Sequence, residues 1–215
     1  MSEAAHHLGL PPATLRSWVR GRGYRTGSEP RFSEPLIELP DPGESLLSFT
    51  NLVEAHVLAA IRRKHGVPMQ KVRPALAFLE KQLGFRHPLA HRQLLTDGVS
   101  LFVEHLGQLI DLSSSGQVAI RELLVAHLER IEHDAEGLAQ RLFPFTRSSI
   151  AGTPRVVVLD PRIGFGQPVI AGTSVRTEVI AGRLEAGESV GEIAADFGID
   201  TDKVEEALRY ELAAA

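Results

Sequence analysis

Apolar positions recur every three or four residues through most of this chain, so helices dominate the expected structure. Ala4, Ala5 and Leu8 share one face of a short first helix, and Gly9 follows where a left-handed C-cap belongs. Leu10 can plug the turn. Pro12 suits the opening of a second helix, about Pro12 to Arg20, because its missing N–H has no partner there. Leu15, Trp18 and Val19 then turn toward the first helix, leaving Thr14, Arg16, Ser17 and Arg20 facing out. Together the two segments read as a helix-turn-helix. Asn51–Lys64 carries a wide stripe of Leu52, Val53, His56, Val57, Ala60 and Ile61. Asn51 with Glu54 forms the expected cap pair, and Gly66 the stop. A helix from Pro68 to Leu83 buries Leu76, Phe78, Leu79 and Leu83. Pro74 should kink it or shift its start, and Gly84 ends it.

The middle of the chain reads differently. His87–Thr96 is expected as a short helix entered through Pro88. Val99–His105 and Gln108–Leu112 look like two strands around Leu106-Gly107, and SSSGQ like a loop. Val118–His133 has the helical stripe Ile120, Leu124, His127/Leu128 and Ile131, serving either core packing or a dimer seam. Ser148–Pro154 is small, polar and proline-ended, the best linker. RVVVLDPRIGFGQPVIAGT then reads as strand, glycine-rich turn, strand. Val156–Leu159 and Val169–Ile170 are too short to stand alone, and in a dimer could pair with their mates. Three helices follow: Arg176/Thr177–Ala186, Val190–Phe197 with a Ser189/Glu192 capping box and a Gly198 stop, and Asp202–Leu212 capped by Thr201.

Charge separates the two ends. Residues 1–31 carry five arginines against two glutamates, in a chain of net charge −4. A second helix with a buried Leu/Trp seam and an outer face of hydroxyls and guanidiniums is what major-groove insertion needs. The candidate DNA contacts are Thr14, Arg16, Ser17, Arg20, Arg22, Tyr24 and Arg25. The basic end of the next helix, Arg62–Lys64, suits the helix dipole and could also reach phosphates. Residues 150–215 hold six basic and eleven acidic groups. Their last two helices again have helix-turn-helix spacing around Gly198-Ile199. Asp202, Glu205, Glu206 and Glu211 on the final helix would repel phosphate. That end is therefore expected to serve dimerisation or protein contact.

Other chemistry is thin. With no cysteine there is no disulfide framework, no thiolate metal site and no cysteine nucleophile. His87 and His91 sit four apart, but no third ligand lies at a telling spacing. Gly164, Gly166 and Gly172 fit neither phosphate-loop spacing and read as tight turns. No catalytic constellation, metal or cofactor is expected, and no signal peptide or membrane span. A cytoplasmic protein of bacterial type is the expectation.

Two resemblances sharpen the picture. The run GLPPATLRSWVRG resembles the helix-turn-helix of MerR-like proteins, in which a short β-wing follows the second helix. Pro35–Leu39 (PLIEL) and Leu46–Phe49 (LLSF), joined by PDPGES, fit such a wing. LDPRIGFGQPVIAGTSV and LEAGESVGEIAADFGIDTDKVEEALRY resemble the small antitoxin domain found beside PIN-like toxin genes in bacteria. Gly166, Pro168, Ile170, Gly172 and Thr173 match its first stretch. Ala186, Gly187, Ser189, Glu192 and Ile193 match its second. Where that family commonly has arginine after Gly-Thr, this chain has Ser174, with Arg176 nearest. The whole arrangement resembles the longer VapB-type antitoxins.

The resemblance implies an autorepressor that binds operator DNA as a homodimer and silences a PIN-domain ribonuclease toxin. Such toxins cut RNA with metal held by acidic residues, which an arginine of the antitoxin can occupy. Arg141, Arg147, Arg155, Arg162 and Arg176 are the candidates. The expected architecture is mainly α with short β-hairpins (α+β). It comprises a winged helix-turn-helix over 1–84, a middle segment with hairpin and helix over 85–147, a linker over 148–154, and a trihelical domain preceded by two short strands over 155–215. The competing readings are a MerR-like regulator answering a small molecule through a pocket in the middle segment, a toxin-binding protein with no DNA role, and an enzyme.

Overall fold

The first helix stops in the left-handed turn that its sequence asks for. In the computed structural model, which describes residues 1–214 apart from Ser28, Ser45, residues 64–66, Phe85 and Ser148, α1 spans Ser2–His7. Gly9 has φ +58°. Its N–H reaches His6 O at 3.0 Å, and the Leu10 N–H reaches Ala5 O at 2.9 Å, the two nested bonds of a Schellman turn. Helix α2 (Pro12–Arg20) buries Leu15, Trp18 and Val19. Thr14 does not face out. It is buried with them, because it stands one turn before Trp18 at the edge of the same stripe.

A hairpin follows at once, earlier than expected. Strands β1 (Arg22–Thr26) and β2 (Glu29–Ser33) pair antiparallel, with Arg22 opposite Ser33 and Tyr24 opposite Arg31. The strands expected at 35–39 and 46–49 do not form. Ile37 and Leu39 are buried as core cover. The Leu36 and Ile37 N–H groups both donate to Trp18 O, at 2.6 and 3.0 Å. Phe49 already opens helix α3 (Phe49–Arg63).

Helix α3 has no solvent face over residues 51–61, all of which are buried. It is a central helix rather than a striped one. Its cap is Ser48 with Asn51, not Asn51 with Glu54. The Asn51 N–H donates to Ser48 Oγ at 3.1 Å and the Ser48 N–H donates to Asn51 Oδ1 at 3.2 Å. The expected stop at Gly66, and Lys64 before it, lie outside the described residues. Helix α4 (Met69–Leu83) runs through Pro74 and closes on Gly84 in the left-handed conformation.

The two strands expected between Val99 and Leu112 are one helix, α5 (Val99–Ile110). Val99, Phe102, Val103 and Leu106 are buried at helical spacing, and α5 packs on α4 and α6. Before it, residues 87–96 give a 3₁₀ turn (Pro88–Ala90) and a π turn (Leu94–Gly98), not a regular helix. His87, at φ 57°, stands outside the helical region. Helix α6 (Ser114–Leu128) begins inside the expected loop, capped by Ser113, and ends before the expected His133. Ile120, Leu124, His127 and Leu128 are buried on it, whereas Ile131 belongs to the next strand.

The chain divides into two units, residues 1–129 with 133–139, and residues 130–132 with 140–215. The break therefore falls near the hairpin of β3 (Ile131–His133) and β4 (Ala139–Leu142), not at 148–154. The reason is Arg130. Its buried guanidinium donates to Phe143 O (2.7 Å), Thr153 O (2.9 Å), Pro144 O (3.0 Å) and Pro154 O (3.0 Å), which pins the supposed linker into the second unit.

In that unit β5 (Val157–Val158) pairs antiparallel with β6 (Val169–Ile170) of the same chain, and Leu142 bridges Leu159 beside them. The short strands thus find partners without a second copy. Helices α7 (Thr177–Glu185), α8 (Val190–Phe197) and α9 (Thr201–Ala214) follow. Ile170, Ile180, Ile193, Val204 and Ala207 form their shared core. The Ser189/Glu192 capping box is present, and Gly198 ends α8 in the left-handed conformation. Thr201 is the first residue of α9 rather than its cap.

Candidate functional site

Helix α2 buries one side and presents the other. Arg16 and Arg20 are exposed opposite Leu15, Trp18 and Val19, whereas Ser17 is half-buried and donates its hydroxyl to Thr14 O at 2.7 Å. Of the outward residues expected on α2, the two arginines are thus the available ones. Arg20 also reaches Glu44 O at 3.3 Å. Arg22, Arg25 and Arg31 are exposed on the hairpin, Tyr24 is half-buried, and Phe32 is 57 % exposed. The hairpin's placement depends on Gly21. This residue has φ 70°, and a Cβ there would lie 2.3 Å from Ser33 O. Only glycine brings the chain out of α2 and straight into β1. Ser17, Arg22, Arg62 and Gln70 border one concavity of about 240 Å³, so the end of α3 and the start of α4 meet the same patch.

The five candidate arginines of the C-terminal half do not form one cluster. Arg141 and Arg162 converge on Asp160, whose side chain is fully buried. Arg162 holds both carboxylate oxygens, at 2.9 and 2.7 Å, and Arg141 adds a bond of 2.9 Å. The Arg162 bonds, helped by Arg141, outweigh burial and hold this carboxyl far below the usual carboxylate range. Arg147 lies elsewhere, on Glu206, where Thr146 and Arg209 also donate. Burial pushes that carboxyl up, but the three donors together bring it below its ordinary value. Arg155 is exposed with its guanidinium 5.6 Å from the Phe143 ring centroid. Arg176 precedes α7, 3.9 Å from the exposed Glu178.

Glu206 also changes the reading of the last helix. Asp202 and Glu205 are exposed on α9, but Glu206 is buried and serves the fold. Beyond these, Phe165 is fully exposed at φ 57°, between two glycines that also have positive φ. Among the described residues no group of three or more His, Cys, Asp or Glu could hold a metal, and no helix is long and apolar enough to cross a membrane. His91 packs its ring against Gly137, and His87 points to Glu54.

Residues 1–76 match a family described as "Putative DNA-binding HTH domain", and residues 157–210 match "Protein of unknown function (DUF433)". A protein of Mycobacterium tuberculosis named "Putative antitoxin VapB45" is 36 % identical over 225 residues, covering 97 % of this chain and 91 % of that one. The chain belongs to the VapB45 family. A second relative from the same organism, "Uncharacterized protein Rv2308", is 24 % identical over 94 % of this chain and 85 % of its own. The crystal structure of Rv2018 from M. tuberculosis superposes with a TM-score of 0.68 at 31 % identity, covering 97 % of this chain and 95 % of that one.

In this member of the VapB45 family the helix-turn-helix match contains every N-terminal candidate, Arg62 and Gln70 included. The DUF433 match begins after Arg130, Arg141, Arg147 and Arg155 and contains Arg162 and Arg176. Sequence reasoning counted Arg31 in the charge but not among the contacts, and passed over Phe32 and Gln70. Arg31 and Phe32 were missed with their strand, because RGYRT and EPRFS carry no apolar alternation. Arg130 was missed because nothing in HLERIEH marks one arginine as internal.

Proposed function

We propose that this protein is a DNA-binding antitoxin. Its N-terminal unit binds operator DNA as a homodimer and represses its own operon. Its C-terminal unit contacts a PIN-like ribonuclease toxin. The observation that carries the reading is the division of α2 between a buried Leu15–Trp18–Val19 side and an exposed Arg16–Arg20 side, with a hairpin bearing Arg22, Arg25 and Arg31 directly after it. In this reading α2 enters the major groove, the hairpin acts as a wing on the backbone, and Arg62 meets phosphate. The names of its relative and of the matching N-terminal family support both halves of the proposal.

For the toxin contact, the ion pairs discriminate among the arginines. Withdrawing Arg141 or Arg162 from Asp160, or Arg147 from Glu206, would strip a donor from a buried carboxylate, a costly step. Arg155, over the Phe143 ring, and Arg176, near the exposed Glu178, are the two arginines assigned here to the toxin contact. Phe165 supplies the exposed aromatic anchor that such interfaces favour.

The test is a fluorescence-anisotropy titration of the full chain against its own promoter DNA at two salt concentrations. Wild type is compared with the Arg16→Ala/Arg20→Ala double variant. Tight, salt-sensitive binding that the variant loses supports the DNA half. Binding indifferent to both substitutions overturns it. Co-purification with a PIN-like protein encoded next door, abolished by Phe165→Ala with Arg155→Ala and Arg176→Ala, supports the other half.

A further inference from the structure

The first unit contains a cavity of about 570 Å³. That volume lies within the roughly 300–1,000 Å³ usual for small-molecule sites. One face of α4 forms a wall, since Arg73, Leu76, Ala77 and Glu80 recur at helical spacing. Val19 and Arg20 at the end of α2, the segment 35–39, and Pro88-Leu89 close the rest. Most of this lining is apolar.

The polar groups are unequal. Glu38 is engaged by Arg86, and Glu54 is shared by Asn51 and His87. Arg73 Nη2, by contrast, is buried and makes no hydrogen bond in the structure. A buried guanidinium N–H without an acceptor is costly, and native proteins rarely leave one so. Arg73 is itself one of the residues that line the cavity, which is large enough to bring an acceptor to its guanidinium. We propose that this cavity binds a small amphipathic carboxylic acid, with its carboxylate on Arg73 and its apolar body against Ile37, Leu39, Leu76 and Leu89. The proposal does not depend on the DNA and toxin surfaces proposed above, although Arg20 borders both this cavity and the outer side of α2.

Octanoate, decanoate and 4-phenylbutyrate, with 4-phenylbutyramide and 4-phenylbutylamine as uncharged and cationic counterparts, make the probe set. Amide chemical-shift mapping on the full chain reads both affinity and location. The expected result is saturable shifts at residues 36–39 and 73–80 with the acids. The amide and the amine should bind about tenfold or more weakly, the scale of one charge-assisted hydrogen bond. Arg73→Met keeps the apolar stem and should erase the preference for acid over amide. Ala77→Phe should block all the probes while the spectrum stays folded. Shifts that map elsewhere, equal affinity for acid and amine, or no saturable shift with any of the acids would overturn the proposal.

Discussion

Gly21 and Ser33 approach so closely that a Cβ on the first would sit 2.3 Å from the carbonyl oxygen of the second. This contact fixes where the hairpin leaves α2, and hence where Arg22, Arg25 and Arg31 stand relative to Arg16 and Arg20. Gly21→Ala should cost about 1–3 kcal/mol through backbone strain alone. Operator affinity should fall although no charge is removed. Thermal unfolding with a parallel DNA titration checks both effects, and unchanged DNA binding would detach the hairpin from the interface.

The arginines should divide by role. Arg16→Ala or Arg20→Ala should weaken operator binding by about 1–3 kcal/mol and relax preference at one base position if that side chain reads a base. Arg62→Ala should weaken specific and random DNA about equally and lower the salt slope by about 1. Affinity measured over a salt series on both DNAs separates the two behaviours.

Neighbouring glutamates on α9 should behave oppositely. Glu206→Gln leaves Arg147 and Arg209 facing a neutral amide, and should destabilise the second unit by about 1–3 kcal/mol, since both arginines are nearly half exposed and partly screened. Glu205→Gln touches an exposed pair with Arg209 and should change stability by less than about 0.5 kcal/mol. Neither should raise specific DNA affinity. Denaturant unfolding of the two variants is the check.

Two histidines should have pKa values displaced in opposite directions. The hydrogen bond to Glu54 raises the pKa of His87 above its usual value, against the pull of burial. Burial, with the charges of His91 and Arg92, lowers that of His133. The stabilising contribution of His87 is therefore complete below about pH 6.5 and lost as pH rises through its raised pKa. That of His133 is present above about pH 6.5 and lost as pH falls through its lowered pKa. Imidazole NMR titration should give midpoints on either side of 6.5; coincident midpoints would contradict both environments.

What the sequence revealed followed from how each element is stabilised. Helix α2 was legible to the residue because Gly9, Pro12 and the Leu15–Trp18–Val19 spacing all agree. The capping box and Gly198 made α8 equally plain. The segment now seen as α5 carries both periods: Val99, Leu101 and Val103 alternate, while Val99, Phe102, Val103 and Leu106 follow a helix. Packing on α4 and α6 selects the second, and no local rule contains that choice. In the candidate interface, the α2 arginines were readable from periodicity. The burial of Thr14 and the engagement of Ser17 were not, because both sit at the edge of the stripe. The C-terminal arginines could be named but not sorted, since Asp160 and Glu206 give no sign in sequence of being internal.

Arg130 also bears on how the C-terminal half could be cut or transplanted. Four carbonyls between residues 143 and 154 depend on one guanidinium that stands well before the DUF433 match at 157. Burial and nearby Arg155 lower its pKa only to about 10, so the cation persists at neutral pH. A fragment trimmed to the matched residues would also lose the Leu142–Leu159 bridge and the Thr146 and Arg147 donors to Glu206. The exchangeable cassette is therefore longer than the recognisable one. Its upstream edge is at Arg130, and a graft that starts later would carry the helices without the residues that fasten them.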